Sequence, residues 1–523
     1  MKVQHVNVHF TLMQQKACHN HNKAMTFAST IGGSSAPLPS SIPSPGHKQQ
    51  QKVPTKTLTT RTVVSLDSLA DDFLSMKPSP ILLKPNPLPR GQTEISRLKT
   101  LVDRRAWSDV LKYCSTLLMT NDSNSTTNAS TKSKSRQYSK VYNSLLVITE
   151  DEINEYNTDD DNEITHSIRQ ETLEIMILRC NAMLKLRRYA DLSKEVNQWN
   201  FLNAQSPHWI PFSLDILACQ SYEYNPEKKE KTTDILCQLR ERIPSTEYGW
   251  LASVDNALTN IFIRRGNYRL AIGSLDRVFD LIPEATKTEV ESAFAKSNDP
   301  TDPENVRMII DILTKIRMCE ICSRQGRIML QAGAVIEAGV VFEDAKIIWS
   351  EVESIVPSLF LPQELCHHNE SIRMIIPSLL KVNEGLLNFA NSNYSLALQS
   401  FSRAIIILQK SGDNLHSKYC TQDWIGPSIV GTQSPRKIYN ETINNITLCH
   451  LYMCNMKEAV VQLESLVRQD PTAFLTERVA FNLSTLYELG SESGAANRKK
   501  RVLQLIAKRF FLHDIGPESF RIA

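Results

Sequence analysis

Residues 456–471 read MKEAVVQLESLVRQDP, and the fold is decided there. Met456, Ala459, Leu463 and Leu466 stand 3, 4 and 3 residues apart, the spacing that sets four side chains on one face of an α-helix. A small residue in such a stripe lets a neighbouring backbone come close, and the larger ones fill the space beside it. Pro471 cannot continue the helix and stops it. Just upstream, Ile443, Ile446, Leu448 and Leu451 form another apolar helical run, parted from the first at Asn455–Met456. The two runs make a helix–turn–helix hairpin of the tetratricopeptide kind, cued by a small residue, a bulky one three or four later, and a terminal proline.

The hairpin recurs. Tyr394, Ala397, Phe401 and Ala404 repeat the steps, with Gly385 nine residues ahead where a helix-packing glycine belongs. Val335, Ala338, Phe342 and Ala345 repeat them again, with Gly326 nine residues ahead. Tyr268, Ala271, Leu275 and Val278 form a fourth copy, with Gly266 in the turn and Pro283 at the expected stop. Looser copies start at Tyr189 (Tyr189, Leu192) and at Trp107 (Trp107, Val110, Cys114, Leu117). Four copies with matching glycines and prolines do not arise from unrelated amphipathic helices. The expected fold class is all-α, a tetratricopeptide-like solenoid of helical hairpins with irregular insertions, preceded by a disordered N-terminal arm.

A solenoid grows without one enlarging core, because each repeat packs on its neighbours; 523 residues need not mean several globular domains. The chain carries 59 Lys and Arg against 56 Asp and Glu. That balance argues against a field for nucleic acid or a membrane surface. No apolar run nears the ~18 residues of a membrane span, and Met1–Phe10 lacks the apolar core of a signal peptide. The 11 cysteines have no framework spacing, which suits a reducing compartment and a cytoplasmic chain.

In order, residues 1–90 read as a disordered Ser/Pro-rich arm, too poor in apolar surface to offset chain entropy. Seven Lys or Arg precede the first acid, Asp67, but only Arg61 is an arginine and no amphipathic helix accompanies them, so a mitochondrial leader is disfavoured. Val63 to Met76 is amphipathic, either a docking helix or without a role. Residues 91–523 form the solenoid, with hairpins near 93–119, 168–199, 212–243, 250–283, 304–350, 371–410 and 436–471 and capping helices over 474–511. Asn121–Ser135 and Gly412–Pro435 read as loops, Asp151–Glu163 as an acidic linker, and Pro357 and Pro362 as marking an irregular link. Asp302–Pro303 opens a long helix with Asp as cap and Pro in the first turn. Arg498, Lys499, Lys500 and Arg501 read as a solvated face of the last helix.

No motif for chemistry is present: no Gly-x-x-x-x-Gly-Lys phosphate loop, no His-Glu-x-x-His, no Gly-x-Ser-x-Gly elbow. Cys319 and Cys322 make a lone Cys-x-x-Cys inside a helix, where buried thiols are the ordinary reading; zinc prefers a turn and a second pair. Cys366, His367 and His368 add no convincing set. Catalytic, cofactor and metal residues are therefore expected to be none, with no small-molecule substrate and no nucleic acid. Gly326, Gly385, Pro471 and the four repeat stripes are packing residues, and partner-binding residues stay unassigned.

Gln462–Leu463–Glu464, Val467, Gln469–Asp470–Pro471, Phe481–Asn482–Leu483–Ser484–Thr485 and Tyr487–Glu488–Leu489 resemble the C-terminus of the trafficking protein particle complex subunit 12 family. Phe481–Leu489 lies outside the generic repeat pattern. Pro211–Phe212–Ser213–Leu214 and Ile216–Leu217 are similar to the family's middle region, and the two loops look longer than the family's. The resemblance implies a non-catalytic tetratricopeptide scaffold in a multisubunit vesicle-tethering complex. It implies other subunits as partners, and indirectly a Rab-family GTPase and early secretory membranes. Endoplasmic-reticulum-to-Golgi transport and autophagy are the implied processes, with peripheral association at those membranes. The exchange surface of such a complex belongs to other subunits, so no catalytic residue carries over. The alternative is a tetratricopeptide co-chaperone or other peptide-binding adaptor. A co-chaperone needs inward Lys and Asn, whereas Val382 and Leu386 are apolar and Asn444 and Asn445 make half a clamp.

Overall fold

Six helical hairpins share one turn. In each, a residue with positive φ follows the first helix: Arg105, Arg187, Gly266, Gly333, Ser392 and Cys454, with φ from 56° to 84°. The next amide then bonds back to the carbonyl five residues earlier, as in Ala106→Leu101 at 3.0 Å, Asn267→Phe262 at 2.8 Å and Asn455→His450 at 2.8 Å. This 6→1 bond satisfies a carbonyl left over at the helix end and reverses the chain tightly. The second helix starts immediately, at Trp107, Tyr189, Tyr268, Val335, Tyr394 and Met456. The positions read from the sequence as the start of each stripe are thus the first residues after one repeated turn.

The computed structural model describes residues 94–119, 137–143, 163–199, 212–297, 303–356, 374–410, 427, 429 and 434–522. All lie in one compact unit, Ala70–Ala523; the other, Met1–Leu69, is outside the described residues, as are the Asn121–Ser135 and Pro357–Pro362 segments and Asp302. Every helix and strand position among the described residues is helical. The hairpins are α1 (Glu94–Asp103) with α2 (Trp107–Leu118), α3 (Glu163–Lys185) with α4 (Tyr189–Val196), and α5 (Phe212–Tyr222) with α6 (Thr232–Arg242). They continue as α7 (Tyr248–Arg265) with α8 (Tyr268–Ser297), α9 (Pro303–Ala332) with α10 (Val335–Val352), and α11 (Ile376–Ala390) with α12 (Tyr394–Gln409). Then come α13 (Pro435–Tyr452) with α14 (Met456–Gln469), a single turn α15 (Pro471–Phe474), and the pair α16 (Glu477–Gly490) and α17 (Ser493–Arg509).

Inside two of the hairpins, α9–α10 and α11–α12, a ring packs over a glycine. A Cβ built on Gly326 would lie 2.6 Å from Cδ1 of Phe342, and one on Gly385 the same distance from Cδ1 of Phe401. Ala338, Ala345, Ala397 and Ala404 are fully buried beside those rings, as are Ala271, Leu275 and Val278 in α8 and Ala459 and Leu463 in α14. Leu466 and Pro471 are also buried. Between hairpins the helix-opening tyrosines stack: Tyr189 on Tyr224 at 4.3 Å, and Tyr394 on Tyr452 at 4.9 Å with Phe389 edge-on to both. Such aromatic pairs add about 0.5–1.5 kcal/mol beyond their buried area.

Two expectations change. Pro283 does not end its helix; α8 runs through it to Ser297. The lost amide is outweighed by what the extension buries: Ile282, Ala285, Thr286 and Val290 are all at or near zero exposure, and Arg317 of α9 donates to the Thr286 hydroxyl at 2.8 Å. Nor is the Arg498–Arg501 run wholly solvated. Lys500 is 3% exposed; its ammonium donates to Glu488 and to the carbonyl of Arg521 at 2.9 Å, while Lys499 lies over the Tyr487 ring.

The first hairpins and the last ones touch. Arg105 in the α1–α2 turn donates to Asp514 at 2.8 Å and to the carbonyls of Thr472 and Leu475 at 3.1 and 2.8 Å. Arg187, at the same place in the α3–α4 turn, donates to Glu477 at 2.5 Å and to Glu518. Ser108 and His513 are 3.1 Å apart beside them.

Candidate functional site

Among the described residues the structure offers a polar ladder between opening helices, a buried polar centre and an exposed apolar face. Cys319 and Cys322 lie buried on α9; the Cys319 thiol donates to the Ala345 carbonyl at 3.3 Å, and burial pushes its pKa up to about 12, so it stays protonated. Among the described residues no three His, Cys, Asp or Glu gather where a metal could sit. Cys366, His367 and His368 lie outside those residues.

The first surface follows the opening helices of successive hairpins, joined by side-chain amides and guanidiniums. Arg324 of α9 donates to the amide oxygens of Asn256 (2.6 Å) and Asn260 (3.0 Å) on α7. Arg327, one turn on, reaches Asn383 of α11 at 3.4 Å. Farther along, Asn482 of α16 donates to Asn444 of α13 at 2.7 Å, and Arg478 donates to Glu441 at 3.4 Å. Burial of Arg324 beside Arg327 lowers its pKa to about 10, still charged at neutral pH. Sequence reasoning named Asn444 as half of a clamp for an acidic peptide; its amide oxygen is taken up by Asn482. Val382 is buried. The asparagine–arginine ladder itself went unnoticed, because polar residues at helical spacing read as solvated faces until the neighbouring helix is known.

A second polar centre ties α6, α7 and α8. Asp255 is fully buried and accepts from Arg240 at 3.0 Å and from Arg277 at 2.7 Å. Two cations, Arg240 from the preceding hairpin and Arg277 from the same one, compensate one buried carboxylate, the condition under which a buried charge is tolerated.

The third surface lies on the second helices and is apolar. On α10, Ile336, Val340 and Ile347 are exposed by 83%, 59% and 53%, and spacings of 4 and 7 put them on one face. Leu270 on α8, Leu396 and Ile406 on α12 and Val461 on α14 are also more than half exposed or close to it. Single exposed leucines are ordinary, but here exposed apolar residues recur on four second helices, α8, α10, α12 and α14. Acidic Glu337, Glu343 and Asp344 border the α10 face. A shallow cleft of about 750 Å³ lies elsewhere, between α2 and His513, lined by Ser108, Lys112, Leu186 and Arg188. No helix among the described residues is long and apolar enough to cross a membrane.

Against known proteins, no family model matches the chain. Trafficking protein particle complex subunit 12 of Mus musculus is 42% identical over 66 residues, 13% of this chain and 8% of the mouse protein. The subunit 12 of Homo sapiens is 44% identical over 64 residues, 12% of this chain and 9% of the human one. The chain thus matches less than a tenth of the length of these curated relatives. Over that stretch it is similar to subunit 12 of trafficking protein particle complexes.

Proposed function

We propose that the chain is a non-catalytic scaffold subunit of a tethering complex of the trafficking-protein-particle kind. One observation carries the reading: the 42–44% identical stretch shared with two proteins named as subunits of such a complex. The architecture supports it, since hairpins with exposed apolar second helices give a long face on which several chains can sit side by side. In this reading other subunits are the direct partners. A Rab-family GTPase and early secretory membranes are indirect ones, with endoplasmic-reticulum-to-Golgi transport the main process and autophagy a second.

The test is size-exclusion of a native extract with detection of this chain, followed by identification of what co-elutes. Elution in a large assembly with vesicle-tethering subunits is expected, and the isolated chain should not speed nucleotide exchange on a Rab GTPase. A functional chain that elutes as a free monomer near 59.2 kDa overturns the reading.

A further inference from the structure

The opening-helix surface carries cations without matching acids. Arg324 donates to two neutral oxygens, the amides of Asn256 at 2.6 Å and Asn260 at 3.0 Å. The Asn256 amide is fixed in that sense, because its nitrogen donates to the Ile429 carbonyl at 2.8 Å. Arg327, one turn on, rests on another neutral oxygen, that of Asn383 at 3.4 Å. Asn383 is 1% exposed, and its own amide nitrogen is buried with no acceptor among the described residues. Amides thus place both guanidiniums while leaving their charge and several of their N–H groups unused. Two lysines from other hairpins join them: Lys185 at the end of α3 and Lys437 near the start of α13, both exposed. Protein nevertheless surrounds Lys185. Burial, with the charges of Arg105 and Lys437, holds its pKa below the usual 10.5 against the pull of Asp514. A side chain that water reaches and protein surrounds lies in a concavity. The charge of Lys437 also acts on Glu320 of α9, although α11 packs between α9 and α13. So α3, α9 and α13 face one another around a well. Among the described residues none of the four cations pairs with a carboxylate. Nearby acids are engaged elsewhere, Asp514 by Arg105 at 2.8 Å and Glu441 by Arg478 at 3.4 Å. Glu320 remains, and burial raises its carboxyl to about 7, so it offsets only part of one charge at neutral pH.

We propose that Lys185, Arg324, Arg327 and Lys437 form a binding site for a compact, soluble polyphosphorylated anion. Guanidiniums take phosphoryl oxygens two at a time and ammoniums add point charges, the donor set that phosphate recognition uses. A well lined by one sign of charge also concentrates such an anion. The cations come from three helices, so the ligand must present charge in several directions at once. A small ring bearing several phosphates does this; an extended acidic peptide, with its carboxylates along a line, does not. A phosphoryl oxygen drawn to Arg327 supplies the acceptor that the buried Asn383 amide lacks. The cations face one another across the well, which suits a free phosphate and not a headgroup still held in a membrane. The anion is bound and not converted, and it ties α3, α9 and α13 together. The site needs no partner subunit, so the purified chain suffices to test it.

The test is calorimetric titration of the full chain with inositol hexakisphosphate, beside an octaglutamate peptide and phosphatidylcholine vesicles carrying phosphatidylinositol bisphosphate. One hexakisphosphate should bind per chain, more tightly as salt is lowered. Lys185→Gln with Lys437→Gln removes two exposed ammoniums and should weaken binding roughly ten-fold or more. Glu320→Gln should tighten it. Arg498→Gln with Arg501→Gln, at two exposed cations of α17, should leave it unchanged. Absence of binding overturns the proposal, as does an equal loss in the two double variants. Tighter binding of the peptide or of the vesicles than of the free phosphate overturns it too. Hydrogen exchange on the unaltered chain decides without any variant: saturating hexakisphosphate should slow exchange in α3, α9 and α13 together, and no slowing there overturns the proposal.

Discussion

Arg105 and Asp514, 409 residues apart, form an ion pair at 2.8 Å. The same guanidinium caps two carbonyls beside α15, so four of its hydrogen bonds end on the last hairpins. Charge-assisted bonds of this kind, partly shielded from water, are about twice as strong as neutral ones. Arg105→Ala should cost about 2–3 kcal/mol. Hydrogen exchange should rise in α1–α2 and in α16–α17 together; a rise confined to α1–α2 would show that the contact does not couple the two regions.

The neighbouring Arg187–Glu518 contact should be acid-sensitive. Burial alone raises the Glu518 pKa, but its bond from Arg187 and the amide it accepts lower it more, and the net value lies below the usual 4.5. Since the folded value is below the unfolded one, this stabilisation is complete above pH 4.5 and is lost as pH falls through the folded value. Spin labels on α2 and α17 should report a constant distance at neutral pH and a broadened one in acid. Glu518→Gln should broaden it already at neutral pH.

Gly385→Ala should cost about 1–3 kcal/mol by driving a methyl into the Phe401 ring. Adding Phe401→Leu should return part of that loss. Strict additivity of the two changes in chemical denaturation would contradict the ring-over-glycine contact.

Four of the six turns hold their left-handed residue without glycine. An L side chain there costs roughly 1–2 kcal/mol, partly offset by glycine's larger unfolded-state entropy. Ser392→Gly and Cys454→Gly should each stabilise the chain by about 0.5–1 kcal/mol, and Gly333→Ala should destabilise it, as read from melting midpoints. Arg105 and Arg187 are exceptions, since their side chains are used.

Ile336→Asp with Ile347→Asp changes only exposed positions, so stability should move by less than about 0.5 kcal/mol. If the α10 face carries a partner, co-purification of other subunits should fall sharply. Unchanged recovery would move the interface elsewhere.

The helical class was legible because its cause is local. The 3, 4, 3 stripes, the glycine facing Phe401 and the one facing Phe342, and Pro471 all act within one hairpin or its turn. Pro283 misled because a proline is read as a stop from its own backbone, whereas α8 continues on the strength of Val290 and Thr286 packing against α9. Lys500 misled for the mirror reason: a basic run looks solvated until Glu488 and the Arg521 carbonyl are seen around it. The candidate surfaces were the least legible. Asn256, Arg324 and Ile429 come from three distant segments, and no spacing rule links them.

The paired arginine contacts change how such a stack can fail. An open row of repeats frays from its outermost members, which have a neighbour on one side only. Here the first two turns and the final hairpins lend each other the missing neighbour, so the row behaves as though its boundary were joined. Damage at either margin is then felt at the other, and the stack should come apart in one concerted step instead of peeling inward.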